Sequence, residues 1–181
     1  MLPEGVKEVG EFTFYGCKDL RSAVLNEGLE TLGPRAFSRT GLESLVLPAT
    51  LKELEDSFAG CESLRTISLP TGELNVSYDK ESNDYSGKLV VSSGARELPF
   101  HPAYNCFGLA EVTFEEDCKL ERIGPNVFQN TQLESFAAPA SLREVGWMAF
   151  GNCQRLQNLT LNEGLEKVGN HCFWMTQVRQ L

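Results

Sequence analysis

Hydrophobic positions return along this chain at a nearly fixed interval. Eight segments open on Leu2, Leu25, Leu47, Leu69, Val91, Phe114, Ala138 and Leu161, in steps of 22 to 24 residues. Most follow one template. An apolar residue is followed by Pro or a polar residue and then by Glu-Gly or a similar pair. Next come an apolar-x-x-apolar pair, a Phe, a Cys or Thr, and finally Leu-x-x-apolar-x-Leu. The last motif ends in a period of two, which predicts a short strand with one buried face. A coil of this length cannot bury that face by itself, whereas stacked coils can. The spacing therefore predicts one solenoid domain over residues 1–181: about eight stacked coils with short parallel strands and irregular or short helical return segments.

The anchors agree from coil to coil. The apolar pairs are Val6/Val9, Leu29/Leu32, Leu51/Leu54, Ala95/Leu98, Leu120/Ile123, Leu142/Val145 and Leu165/Val168. The aromatic position holds Phe14, Phe37, Phe58, Phe128, Phe150 and Phe173, with Ala103 as the exception, and predicts a continuous ring spine. One position alternates in type: Cys17, Cys61, Cys106 and Cys153 in odd coils, Thr40, Thr131 and Thr176 in even ones. The repeating unit is thus a pair of coils. Charges keep the same beat. Between the apolar pairs the first position reads Lys7, Glu30, Lys52, a gap, Arg96, Glu121, Arg143, Glu166, and the second reads Glu8, Thr31, Glu53, a gap, Glu97, Arg122, Glu144, Lys167. The signs alternate throughout the first column and mostly in the second, so with coils in register most charges face an opposite one and a slip by one coil sets like charges together.

Two runs, Ala149-Phe150-Gly151-Asn152-Cys153-Gln154-Arg155-Leu156 and Phe58-Ala59-Gly60-Cys61-Glu62-Ser63-Leu64, resemble the Ala-Phe-x-x-Cys-x-x-Leu signature of BspA-like leucine-rich repeats. Phe114-Glu115-Glu116-Asp117-Cys118-Lys119-Leu120 resembles the longer variant coil of that family. The likeness covers seven of the eight coils and departs at residues 69–90 and at Ala103. It implies a leucine-rich-repeat fold and, by analogy with bacterial and protist relatives, adhesion to host or matrix proteins at the cell surface.

Charge and chemistry narrow the functional classes. Net charge is −9 and no Lys/Arg cluster exceeds two residues, which argues against nucleic acid and anionic lipid as partners. No apolar run reaches the ~18 residues of a membrane span. No signal peptide is visible at Met1-Leu2-Pro3-Glu4-Gly5, and the repeat begins without a capping sequence. The signature cysteines lie two coils apart, roughly 9–10 Å at strand spacing, beyond the reach of a disulfide. They are expected as small buried thiols, as is Cys172, whereas Cys118 sits in an expanded coil that could expose it. His101 with Cys106, and His171 with Cys172, match no zinc set, and no catalytic constellation or phosphate loop stands out. No catalytic residue, metal or cofactor is therefore expected.

Residues 69–90 form an irregular coil with an expected loop at 74–88, either a protruding excursion or one decayed repeat. Its Asp79, Glu81 and Asp84 match no calcium-loop spacing and are expected as solvated charge. Asn75-Val76-Ser77 and Asn158-Leu159-Thr160 are N-glycosylation acceptor patterns. The outward strand positions form two columns: Ser22, Ser44, Thr66, Glu111, Ser135, Asn158, and Val24, Val46, Ser68, Thr113, Ala137, Thr160. This small, hydroxyl-rich face is the candidate contact surface for a protein or glycan. It would serve a secreted or cell-surface module, or alternatively an intracellular scaffold within a larger protein.

Overall fold

Five coils turn their first corner at a tetrapeptide led by Pro or Asn, and those opening at Val91 and Phe114 do so at Ser92 and Glu115. The Val6, Leu29, Leu51 and Leu142 amides donate to the Pro3, Asn26, Pro48 and Pro139 carbonyls at 3.1, 3.2, 3.4 and 3.0 Å. Pro presets the turn dihedral. Asn acts through its side chain: the Asn162 amide reaches the Pro139 carbonyl of the preceding coil at 2.6 Å. The structure, a computed structural model, describes residues 2–54, 56–102, 104 and 107–179.

Stacked in this way, the coils form a three-sided solenoid. The main face carries β2 (Ser22–Val24), β4 (Ser44–Val46), β6 (Thr66–Leu69), β8 (Asp84–Val91), β10 (Leu109–Phe114), β12 (Ser135–Ala137) and β14 (Asn158–Thr160), all running the same way. The second side holds two-residue strands: β1 (Glu8–Val9), β3 (Thr31–Leu32), β5 (Glu53–Leu54), β9 (Glu97–Leu98), β11 (Arg122–Ile123), β13 (Glu144–Val145) and β15 (Lys167–Val168). The return side is built of turns, and coils are tied there through alternate amides. Phe12, Phe14 and Gly16 donate to the Pro34, Ala36 and Ser38 carbonyls, and Asn126, Phe128 and Asn130 to those of Trp147, Ala149 and Gly151. Presenting successive donors to one neighbor requires backbone reversals. Phe12, Arg35, Asp56, Asn126, Met148 and His171 adopt φ of 42° to 58°, and Gly16, Arg39, Gly60, Asn130, Asn152 and Met175 adopt 55° to 72°. The left-handed basin explains the Gly and Asn at the second of these positions.

The phenylalanines line up, but in two blocks. Phe14, Phe37 and Phe58 stack at 4.8 and 5.3 Å, and Phe128, Phe150 and Phe173 at 5.1 and 5.3 Å. The expected unbroken spine is interrupted where the fourth coil departs from the template. Ala103 and Cys106 lie outside the described residues. Phe107 packs on Phe58 at 5.8 Å and Tyr104 on Phe128 at 6.0 Å, so two aromatics absent from the template close the core across the gap. His101 Nε2 meets the Pro48 carbonyl at 3.2 Å, and the Tyr104 hydroxyl meets Thr71 Oγ1 at 3.4 Å.

Where the sequence suggested a loop at 74–88, the structure has a hairpin. After β6 the chain reverses at Pro70-Thr71 into β7 (Gly72–Asp79), antiparallel to β6, and returns as β8. The cause is a period-2 pattern: Leu74, Val76, Leu89 and Val91 point into the core, and Glu73, Ser77 and Lys88 point out. Asp79 caps the tip, accepting from the Glu81 amide and the Ser82 hydroxyl at 2.9 Å each, which holds its carboxyl below the usual range. Because β7 is an added strand, the main face stays continuous from β2 to β10, while the second side splits into β1-β3-β5 and β9-β11-β13-β15. At the far side of the hairpin two backbones cross closely. The Gly87 amide donates to the Gly108 carbonyl at 3.0 Å, and a Cβ on Gly108 would stand 2.2 Å from the Tyr85 carbonyl oxygen.

The charge columns pair between coils as the alternation predicts. Glu97, Arg122, Glu144 and Lys167 form one run with contacts of 3.6, 3.8 and 2.7 Å, on strands whose registers place them opposite one another. In the adjoining column Lys52 meets Glu30 at 2.5 Å and Arg96 meets Glu121 at 2.5 Å. The Lys52 hydrogen bond lowers the Glu30 pKa. These pairs are exposed, so their main effect is on register and less on stability. Reversing Lys52→Glu is expected to lower Tm by about 2 °C, and adding Glu30→Lys to restore about half of that. Thermal melts of the two single variants and the double variant check the coupling; additive shifts would refute it.

Candidate interaction surfaces

The strand registers set the outward side chains in columns. Ser22, Ser44 and Thr66 lie opposite one another, as do Val24, Val46 and Ser68. The hairpin extends both columns with residues outside the repeat template. Asn75 and Lys88 continue the first, leading on to the template position Glu111, and Glu73 and Val90 continue the second, leading on to Thr113. Further along, Ser135 faces Asn158 and Ala137 faces Thr160. Of the sequence candidates, Ser22, Val24, Ser44, Val46, Glu111, Ser135, Asn158 and Thr160 are exposed, and Thr66, Ser68 and Thr113 are half-buried. Both acceptor asparagines are on this face, Asn75 half-buried and Asn158 exposed. Lys88 and Glu111 pair at 2.7 Å, so the middle of the face is charged while its two ends are small and neutral.

Behind the face, the Cys/Thr alternation makes a buried polar thread. Thr40 Oγ1 and Cys61 Sγ are 3.2 Å apart, Thr131 Oγ1 and Cys153 Sγ 3.3 Å. The thiols also donate to the Phe37 and Phe128 carbonyls at 3.1 and 2.9 Å. In these two places a buried hydroxyl and a buried thiol satisfy each other. Burial pushes the Cys61 and Cys153 thiols up and Cys172 up to about 12, so all three stay protonated at neutral pH and are poor nucleophiles. Cys17 is exposed, and Cys118 is half-buried with its thiol 4.0 Å from the Ser92 carbonyl. Among the described residues no group of three or more His, Cys, Asp or Glu side chains is placed to hold a metal.

Two features lie outside the repeat template. Large aromatics are exposed on the return side, among them Phe12, Tyr15, Trp147 and Trp174. Their signal was available as aromatics at non-template positions. The hairpin tip also stands against the return turns of the first three coils, and Asn83 borders three adjoining cavities of about 470, 220 and 150 Å³ there. No spacing along the chain announces that convergence.

The BspA-type leucine-rich-repeat region model matches residues 1–83 and 87–181 in six copies. No curated protein matches the chain. Among solved structures, a leucine-rich repeat protein from Bacteroides ovatus is 20% identical with a TM-score of 0.44, over 94% of this chain and 69% of that one. One from Eubacterium ventriosum is 14% identical with a TM-score of 0.36, over 98% and 70%. A leucine-rich cell surface protein from Faecalibacterium prausnitzii is 16% identical with a TM-score of 0.31, over 97% and 68%.

Proposed function

The chain belongs to the BspA-type leucine-rich-repeat family, and we propose that it is a non-enzymatic protein-interaction module whose main strand face makes the contact, in a cell-surface or secreted adhesion role. One observation carries this reading. Outward side chains from successive coils stand in register over a continuous sheet from β2 to β10. A repeated flat surface of small hydroxyls and valines matches a broad partner better than it matches a small molecule, which is held by concave walls. Buried, protonated thiols agree with a structural role for the cysteines. The neutral end around Ser22, Val24, Ser44 and Val46 is the proposed center of contact, with Thr66, Ser68, Glu111, Thr113, Ser135, Asn158 and Thr160 extending it.

The test is capture of extracellular-matrix proteins by the immobilized chain, with the Ser44→Arg/Val46→Arg double variant as control. Both side chains are exposed, so this variant is expected to keep its circular dichroism and lose at least tenfold in affinity (about 1.4 kcal/mol). Capture unchanged by the double variant would remove the strand face from the reading. Capture confined to cytosolic proteins would favor the intracellular scaffold.

A further inference from the structure

The hairpin turns one flank of the solenoid into a groove. Its tip is tied down at two points. Lys80 pairs with Glu62 at 2.5 Å, and the Tyr85 hydroxyl donates to the Phe58 and Cys61 carbonyls at 3.0 and 3.1 Å. Between tip and turns lies the 470 Å³ cavity, bordered by Lys18 and Arg39 on the floor and by Tyr78 and Asn83 on the wall, with Glu62 and Ser63 at its side. Asn83 is fixed by accepting the Tyr78 hydroxyl at 2.5 Å, and the Tyr78 ring is braced edge-on by Tyr85 at 5.1 Å. The wall is therefore pre-formed.

Charge points to the ligand. The chain carries −9 overall. Around this groove Glu62 is neutralized by Lys80, and Arg35 by Asp56 at 3.2 Å in the adjoining cavity. Lys18 and Arg39 have no ion-pair partner among the described residues. Two uncompensated cations in one cavity of an acidic protein favor an anion, and the planar Arg fork favors a carboxylate. The floor gives a peptide backbone little to grip. The Gly16 and Arg39 amides are already spent on the Ser38 and Ala59 carbonyls of the next coil, so these two donors are not free to pair with a peptide strand. What remains is a cation pair, a braced aromatic face, and amide and hydroxyl groups at Asn83 and Ser63. That set suits a ring bearing a carboxylate and several hydroxyls.

We propose that this groove binds an acidic oligosaccharide, with a uronic-acid carboxylate on Arg39 and Lys18 and the sugar ring against Tyr78. The site is separate from the strand face and goes beyond the contact proposed there. The experiment is isothermal titration calorimetry of the full 181-residue chain with a galacturonic acid trisaccharide. Saturable binding is expected at millimolar concentration or below, with a loss of at least tenfold in the Lys18→Gln/Arg39→Gln variant and several-fold in Tyr78→Leu. Lys18 and Arg39 are exposed, so their replacement is expected to leave Tm unchanged. The methyl-esterified trisaccharide is expected not to bind, and the Ser44→Arg/Val46→Arg variant to titrate like the wild type, which separates this site from the strand face. Absence of saturable binding, equal binding of the ester, or an unchanged Kd in the double variant would each overturn the proposal. So would equally effective competition by an oligoglutamate peptide, which would assign the groove to acidic peptides instead.

Discussion

Phe150→Ala is expected to cost ~3–5 kcal/mol, the range for truncating a large aromatic in a packed core. Phe150 has no exposed surface and sits at the center of its block, with ring contacts to Phe128 at 5.1 Å, Phe136 at 4.8 Å and Phe173 at 5.3 Å. Rings from the main face (Phe136) and from the return side (Phe128 and Phe173) pack on it, so collapse around the void would have to move three aromatics together. In a solenoid the consequence reaches beyond the energy. Each coil touches only its neighbors, so weakening one interface uncouples the coils beyond it. Urea denaturation followed by circular dichroism is expected to show a lowered midpoint and two transitions in place of one, the first involving residues 138–179. Phe14→Ala, at the half-buried start of the other block, is the internal comparison and is expected to cost much less. Equal losses at the two positions would mean that the column does not act as the core.

The solenoid is legible in the sequence because its signal is repetition. Val9, Leu32 and Leu54 occupy one template position, and that position is one place in space, so the apolar spacing carries the second-side strands and their registers directly. For the same reason the strand columns and the charge runs follow from the spacing alone. The hairpin is hidden by the same template. Leu74-Asn75-Val76 and Lys88-Leu89-Val90-Val91 alternate as strands do, but they match no repeat position, and the 22-residue step from Leu69 to Val91 conceals an added strand. The substitutes for the missing Phe are invisible for a related reason. Tyr104 and Phe107 take the place of the absent ring from off-template positions, and His101 reaches 53 residues back to Pro48. The first left-handed position of the return turns accepts Phe12, Arg35, Asp56, Asn126, Met148 and His171, a set with no shared chemistry. There the inter-coil hydrogen bonds set the backbone, and residue type follows only weakly. The groove is least legible of all, since it joins side chains from three coils and a hairpin tip.

Gly108→Ala isolates the step from added strand to shaped flank. Gly108 has φ of 55°, and the methyl group of an alanine there would lie 2.2 Å from the Tyr85 carbonyl oxygen. The conformation alone costs an L-residue roughly 1–2 kcal/mol. The overlap is with backbone, so no side-chain rotation relieves it, and β8 must move away from the start of β10. The Gly87–Gly108 hydrogen bond would go with it, and Tyr85 would lose its seat between Phe107 and the Phe58 carbonyl. The total loss is expected to be on the order of 3 kcal/mol or more. Hydrogen exchange should localize it: amides of β7, β8 and residues 107–109 lose protection, while those of residues 120–179 keep theirs, because coils beyond the crossing retain their own neighbors. Gly94→Ala is the matched control, since a Cβ there meets nothing within 4 Å. It is expected to melt like the wild type. If Gly108→Ala does so too, the hairpin is not seated on β10 as described, and the groove wall would have no fixed position from which to select a ligand.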